Sequence, residues 1–203
     1  MISSTRILPG GYRQTGEIDL ARNKGLAIVL NVVGALLFLL CLVLLGWLLR
    51  WARPELVTGT FSFQLGPFAI LGPLASIALM LLAHEVIHGL FFWIFTRQRP
   101  VFALRPLYAY AAAPDWFIPA RQYSIIGLAP LVLNDAVGVL LIFLAPAGWV
   151  ALSVLLIAMN TGGSIGDLYI VARLARYSSG SFANDTGDRV RFFEPAAAAS
   201  KSD

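Results

Sequence analysis

The chain's only two histidines lie four residues apart in the segment His84-Glu85-Val86-Ile87-His88. On an α-helix, residues at this spacing share one face, so both imidazoles could bind the same metal ion. In hydrolases with this spacing, zinc acidifies a water molecule and polarises the scissile carbonyl, while the glutamate acts as general base and then as acid. The motif therefore predicts a zinc site with both histidines as ligands and Glu85 as the catalytic base. The alternative is that the three side chains only hydrogen-bond to neighbouring helices.

The elements that carry this motif are predicted to cross a membrane. Of the 203 residues, 58% are apolar and only 13% are charged, a composition too apolar for an ordinary soluble domain. Uncharged apolar runs predict four transmembrane helices, at residues 25–49, 67–95, 122–145 and 148–172. The expected fold class is an all-α integral membrane protein with a polar cytoplasmic loop between the second and third helices.

The distribution of basic residues predicts the orientation of these spans. Of the 15 Lys and Arg residues, all but Arg50 and Arg53 lie in residues 1–24, 96–121 and 173–203, which share one side of a four-span protein. By the positive-inside rule, both termini are then cytoplasmic, and we expect a multi-pass protein of the cell membrane. The same distribution accounts for the net charge of +4, so nucleic acid is not expected as a partner.

These assignments divide the chain into three parts. Residues 1–24 form a cytoplasmic N-terminal segment, and residues 25–172 form the membrane domain, with a metalloprotease core at about 67–172. Residues 173–203, rich in Ser, Gly, Asp and Ala, are expected to form a flexible cytoplasmic tail. The single cysteine, Cys41, permits neither an intrachain disulfide nor a zinc site with several cysteines.

Two histidines leave a hydrolytic zinc site short of the three protein ligands that it normally has. Asp167 is the preferred third ligand, because it and His88 lie at heights in their spans that agree within about one helical turn. Asp135 lies nearer the middle of its span and is the reserve ligand. A hydrogen bond between helices, shared with Asn134, is the other interpretation of Asp135.

The segment that leads to Asp167 is unusual for a membrane helix, since it contains Gly162, Gly163 and Gly166. The glycines loosen the helix and allow another backbone to come close. They could simply form a helix-packing face, but with Asp167 at its end the segment is better explained as locally irregular backbone that lines a polar cavity. Asn160, at its start, could then bind the substrate backbone or a developing oxyanion, and Asn134 is a second candidate for this role.

Three blocks of the chain resemble the site-2 protease type of intramembrane metalloprotease, and especially small bacterial membrane proteins described as putative zincin peptidases. The blocks are residues 84–88, residues 127–134 with their small residues, proline and asparagine, and residues 160–167, where an asparagine precedes an aspartate. The resemblance covers about residues 81–168. It implies that His84, His88 and Asp167 bind zinc, that Glu85 is the catalytic base, and that water reaches the site from the cytoplasm.

The resemblance also concerns the stretch after the motif helix. In this family such a stretch can offer an edge strand to an extended substrate, and Val101–Leu104 or residues 108–112 could do so here. A loop at the membrane interface, rich in Tyr and Ala, is the slightly preferred alternative.

The predicted function is that of a zinc-dependent metalloendopeptidase of the HExxH (zincin) type, which hydrolyses a peptide bond in a membrane-embedded or juxtamembrane substrate. Its expected partners are membrane lipids and a membrane-protein or peptide substrate. Two other functions are considered: a non-enzymatic membrane metal carrier that uses the same ligands, and an inert regulatory membrane protein. A carrier has no evident need of Glu85 beside the first ligand, and this favours the protease.

Overall fold

The structure is a computed structural model that describes residues 3–58, 67–104 and 109–196, apart from the side chains of residues 67–69 and 109. Long helices dominate it, and short strands lie before, between and after them. In chain order the elements are β1 (Tyr12–Asp19), α1 (Lys24–Ala52), α2 (Pro54–Thr58), α3 (Pro67–Thr96), β2 (Val101–Leu104), β3 (Ala109–Ala112), β4 (Ile118–Pro119), α4 (Ala120–Leu144), α5 (Ala147–Gly163), α6 (Ile165–Leu174), β5 (Phe182–Asp185) and β6 (Arg189–Pro195).

Three helices are long and apolar enough to cross a membrane: α1, residues Ile70–Thr96 of α3, and α4. Helices α5 and α6 pass the same test only as a pair, and they are bent by 41° at the break between them. Large apolar side chains on the long helices are exposed, among them Leu36, Leu82 and Val132. Such surfaces are stable in lipid and costly in water. Three to four candidate spans therefore indicate a membrane protein.

The contacts divide the chain into two compact units, the first of which comprises residues 1–30, 85–130 and 166–203. It contains an antiparallel four-stranded sheet with the strand order β1-β6-β5-β4. In β6 the residues are alternately half-buried and buried, and Val190, Phe192 and Glu194 are the buried ones. Phe192 packs with Ile118 and Phe92 in the core of this unit.

The sheet corrects the expected all-α fold class. Its strands β5 and β6 also lie within residues 173–203, which were expected to form a flexible tail. The expectation of a flexible tail was wrong because it rested on the polar composition of this segment. The alternation of half-buried and buried residues in β6 has the two-residue period of a half-buried strand. The pairing of β6 with β1 joins the two ends of the chain, and no local pattern could reveal that partnership.

The same unit contains a second, two-stranded sheet in which β2 pairs antiparallel with β3, from Val101↔Ala112 to Leu104↔Ala109. The first predicted edge strand is therefore a strand, as is the second from Ala109 onward, while Tyr108 lies outside the described residues. The preferred interpretation of this stretch as a loop was wrong. The hairpin contacts the motif helix through Phe102, because a Cβ on Gly89 would meet the Phe102 ring.

The second unit comprises residues 31–84 and 131–165. Here α1 and α5 approach closely at two glycines: a Cβ on Gly34 would lie 2.7 Å from the carbonyl oxygen of Gly162, and a Cβ on Gly162 would lie 2.8 Å from that of Gly34. This contact confirms the expectation that the glycines after Asn160 allow another backbone to come close. Nearby, Leu45, Ile142, Val150 and Ile157 form the buried apolar cluster of this unit.

Candidate metal centre

Helix α3 carries the three residues of the HExxH motif without interruption, so the side chains of His84 and His88 lie one turn apart on it. Each of these histidines and Asp167 offers one ligand atom, and the three atoms lie within 4.8 Å of one another. No other group of three His, Cys, Asp or Glu residues with this geometry occurs in the described part of the chain. Two imidazole nitrogens and one carboxylate oxygen form a donor set that suits zinc.

The imidazole of His88 has a defined tautomer. It is buried, with 8% of its surface exposed, and its Nδ1 lies 2.9 Å from the carbonyl oxygen of Ile126 on α4. A carbonyl oxygen only accepts hydrogen bonds, so Nδ1 must carry the proton of the neutral ring. The lone pair is then on Nε2, which lies 3.4 Å from Asp167 Oδ1. This arrangement orients a histidine for metal binding through Nε2.

Asn160 defines the tautomer of His84 in the same way. The Asn160 amide donates from Nδ2 to Asp135 Oδ1 over 2.8 Å, and this bond identifies Oδ1 of Asn160 as its accepting atom. His84 Nδ1 lies 3.0 Å from that oxygen. The proton of the neutral His84 ring is therefore on Nδ1, and Nε2 carries the lone pair.

Asn160 itself is buried, with 2% of its surface exposed. Its Oδ1 also accepts a hydrogen bond of 3.2 Å from Asn134 Nδ2. Both asparagines, which the sequence suggested as substrate or oxyanion contacts, thus lie in the hydrogen-bond network behind His84. The role that the geometry favours for them is orientation of the His84 ring.

Asp135, the reserve ligand, does not belong to the group formed by the histidines and Asp167. Its two oxygens accept hydrogen bonds from α5: Oδ1 from Asn160, and Oδ2 from Thr161 Oγ1 over 2.7 Å. The contacts of Asp135 therefore agree with the alternative interpretation, a hydrogen bond between helices, and the donors are Asn160 and Thr161. Its carboxylate fixes the amide of Asn160 and, through that amide, the ring of His84.

The break between α5 and α6 positions Asp167. Ser164 follows the last residue of α5, and both its N–H and its hydroxyl donate to the carbonyl oxygen of Asn160, over 2.9 and 2.8 Å. Helix α6 begins at Ile165, which places Asp167 in its first turn, where the helix dipole favours a negative charge. The expectation of locally irregular backbone before Asp167 is confirmed.

Glu85 lies on α3 between the two histidines and is half-buried. Its charge and that of Asp167 both act on the His88 imidazole. Its position beside the ligand group is the one that the motif predicts for a group that exchanges protons with a water molecule at the metal. Its catalytic role remains a prediction.

Two polar residues close to this group, Tyr123 and Asp185, were not among the predicted site residues. Only 4% of Tyr123 is exposed, and its hydroxyl donates to Asp185 Oδ2. Burial raises the pKa of the Asp185 carboxyl, while the hydrogen bonds from Tyr123 and the Gly187 N–H act in the opposite direction. No motif marks Asp185, because the sheet alone brings β5 to the beginning of α4.

The comparisons with known proteins identify the central part of the chain. A family model described as "Putative zincin peptidase" matches residues 63–182, a range that includes His84, Glu85, His88 and Asp167. No curated protein and no solved structure matches the chain.

Proposed function

This chain belongs to the putative zincin peptidase family, and from that premise we propose that it is a zinc-dependent intramembrane metalloprotease. Family membership indicates a zinc metallopeptidase. The finer proposal is that it cleaves a peptide bond within the membrane or beside it. The observation that carries it is the proximity of ligand atoms from His84, His88 and Asp167 on helices apolar enough to span a membrane.

In this proposal His84 and His88 hold the zinc through Nε2, and Asp167 is the third protein ligand. Three protein ligands leave one position open for water or substrate, as in other hydrolytic zinc sites. A zinc ion held there would acidify a water molecule and polarise the carbonyl of the scissile bond. The hydrogen bonds from the histidines to Ile126 and Asn160 support this assignment, because they keep both Nε2 lone pairs available.

Glu85 is the proposed general base. Its carboxylate takes a proton from the attacking water and then gives that proton to the leaving amine, so the group is regenerated in each cycle. A half-buried position on α3 supports this role, since limited access of solvent strengthens electrostatic interactions with the reacting groups.

The proposed substrate is a membrane-protein segment or a peptide at the membrane surface, and lipids surround the spans. A helical substrate must unwind locally, because an intact helix keeps its carbonyls in hydrogen bonds and shields them from attack. We further propose four spans with both termini in the cytoplasm of a cell-membrane protein. The uneven distribution of Lys and Arg between the connecting segments supports this orientation.

The test uses chain purified in detergent, a library of synthetic single-span peptides, and the variants E85Q, H88A and E55Q. Zinc is measured by elemental analysis and cleavage by mass spectrometry. We expect about one zinc per chain in the wild type, in E85Q and in E55Q. Of these three proteins, only E85Q should fail to cleave the peptides. H88A should lose both zinc and cleavage.

The variant E55Q is the matched control, because Glu55 makes an exposed ion pair with Arg53 and belongs to α2. Wild-type chain that binds no zinc would contradict the proposal. So would E85Q that cleaves the peptides as fast as the wild type.

A further inference from the structure

Asp185, at the end of β5, is a buried acid with two hydrogen-bond partners from different parts of the chain. It is 8% exposed. Its Oδ1 accepts from the N–H of Gly187 in the β5–β6 turn over 2.7 Å, and its Oδ2 accepts from the hydroxyl of Tyr123 on α4. It also lies beyond the residues matched by the family model, which end at 182.

Tyr123 connects this acid to the helix segment that contacts His88. It lies one helical turn before Ile126 on α4, and Ile126 supplies the carbonyl oxygen to which His88 Nδ1 donates. The Tyr123 ring also packs edge-on against Phe92, with 6.3 Å between the ring centroids. Phe92 lies one turn after His88 on α3. Tyr123 therefore contacts α3, which carries His88, and belongs to α4, whose Ile126 carbonyl orients His88.

A buried carboxylate is expensive to retain as a mere packing element. Desolvation of a charged group is costly, and an apolar residue of similar size would stabilise such a core at least as well. Moreover, the charges of His88 and Asp167 both act on the Asp185 carboxyl. An effect of Asp185 on the site formed by His88 and Asp167 would explain why a carboxylate occupies this position, whereas packing alone would not.

We propose that Asp185 and Tyr123 are a pair of positioning residues for the zinc site, which hold the Ile126 carbonyl against His88. The affinity of the site for zinc then depends on strands β5 and β6, which lie after the family-matched region except for Phe182. This inference rests on the zinc site of the proposed function, and it adds a contribution from the C-terminal strands.

The test measures zinc affinity by chelator competition on the full chain in detergent, without any substrate. The variants are Y123F, which removes one oxygen atom, D185N and the double variant. Two matched controls come from the same sheet and from its β5–β6 turn. Y12F removes a tyrosine hydroxyl that donates to the Gly180 carbonyl, and D188N changes an acid in the β5–β6 turn.

We expect Y123F and D185N each to weaken zinc binding roughly tenfold, the lower end of the effect of outer-shell partners on metal affinity. The double variant should bind zinc no more weakly than the weaker-binding single variant, since both changes affect the same hydrogen bond between Tyr123 and Asp185. The visible spectrum of the cobalt-loaded chain should change in these variants and should remain that of the wild type in Y12F and D188N. A purely structural role would lower the unfolding temperature without changing that spectrum.

Unchanged zinc affinity and an unchanged cobalt spectrum in Y123F and D185N would overturn the positioning role, even if the wild type binds zinc and cleaves peptides. Equal losses in the two controls would also overturn it, because they would point to general weakening of the sheet. Absence of zinc from the wild type would instead reject the proposed function together with this inference.

Discussion

His84 Nδ1 and Asn160 Oδ1 lie 3.0 Å apart, and this contact determines which nitrogen of the imidazole bears the proton. The acceptor is itself fixed, because Asn160 Nδ2 donates to Asp135. A chain of hydrogen bonds thus runs from a carboxylate through an amide to a histidine. Outer-shell chains of this kind orient metal ligands and strengthen their binding.

Replacement of Asn160 by alanine should weaken zinc binding about 10- to 100-fold. The change removes the acceptor that holds His84 in its tautomer and leaves the half-buried Asp135 without one of its donors. Zinc affinity measured by chelator competition tests this expectation. The control is S153A, which removes a buried hydroxyl from the same helix, α5, that donates to the carbonyl oxygen of Trp149 one turn earlier. Equal affinity in N160A and wild type would contradict the role of Asn160.

Substitutions of Asp167 and Asp135 should differ sharply in their effect on metal content. D167N should lose most of the bound zinc, because an amide is a much poorer zinc ligand than a carboxylate. D135N should keep about one zinc per chain with lower affinity, since Asp135 contacts Asn160 and Thr161 and not the ligand group. Elemental analysis of both purified variants distinguishes them. If D167N retains zinc and D135N loses it, the assignment of the third ligand is wrong.

A methyl group at Gly127 should disturb the packing of α4 against α6. A Cβ there would lie 2.8 Å from Cγ2 of Val171, and the branched valine has little freedom to move away. We expect G127A to lower the free energy of unfolding by about 1–3 kcal/mol, measured by thermal or denaturant unfolding in detergent.

The matched control for this prediction is G166A, because a Cβ on Gly166 would meet nothing within 4 Å. It should be neutral or slightly stabilising, as alanine favours a helix over glycine. The double variant G127A/V171A should recover much of the loss. If G127A and G166A behave alike, the close contact at Gly127 does not limit stability.

The stability of the sheet should depend on the charge of Asp19 at low pH. A hydrogen bond from the Arg22 N–H, and then the nearby Arg189 guanidinium, hold the pKa of Asp19 below its ordinary value of 3.8. Because the pKa of Asp19 is lower in the folded state than in the unfolded state, its charge stabilises the folded state fully above about pH 4. This stabilisation is lost as the pH falls below about 4 and through the folded-state pKa. The wild type should therefore melt at a higher temperature than D19N at pH 6. This difference should shrink below pH 4, and a constant difference would contradict the expectation.

Much of the candidate site was predictable from the sequence, because its strongest signals are local. Residues four apart on a helix share a face whatever surrounds that helix, so His84 and His88 could be paired without a structure. Depth along each span then made Asp167 the preferred third ligand. The glycines after Asn160 likewise predicted irregular backbone before Asp167, and the structure has a break there.

The remaining features depend on pairings between residues that are distant in the chain. β6 meets β1 from the opposite end of the sequence, so a segment whose polar composition suggested disorder is part of a sheet. The same sheet brings Asp185 to Tyr123, 62 positions earlier in the chain. The sequence by itself determined which side chains could bind a metal and which segments are apolar enough to span a membrane, since spacing and composition are local properties. Only the tertiary structure decided which groups orient those ligands, because a hydrogen bond between helices or from a strand to a helix depends on how distant segments pack.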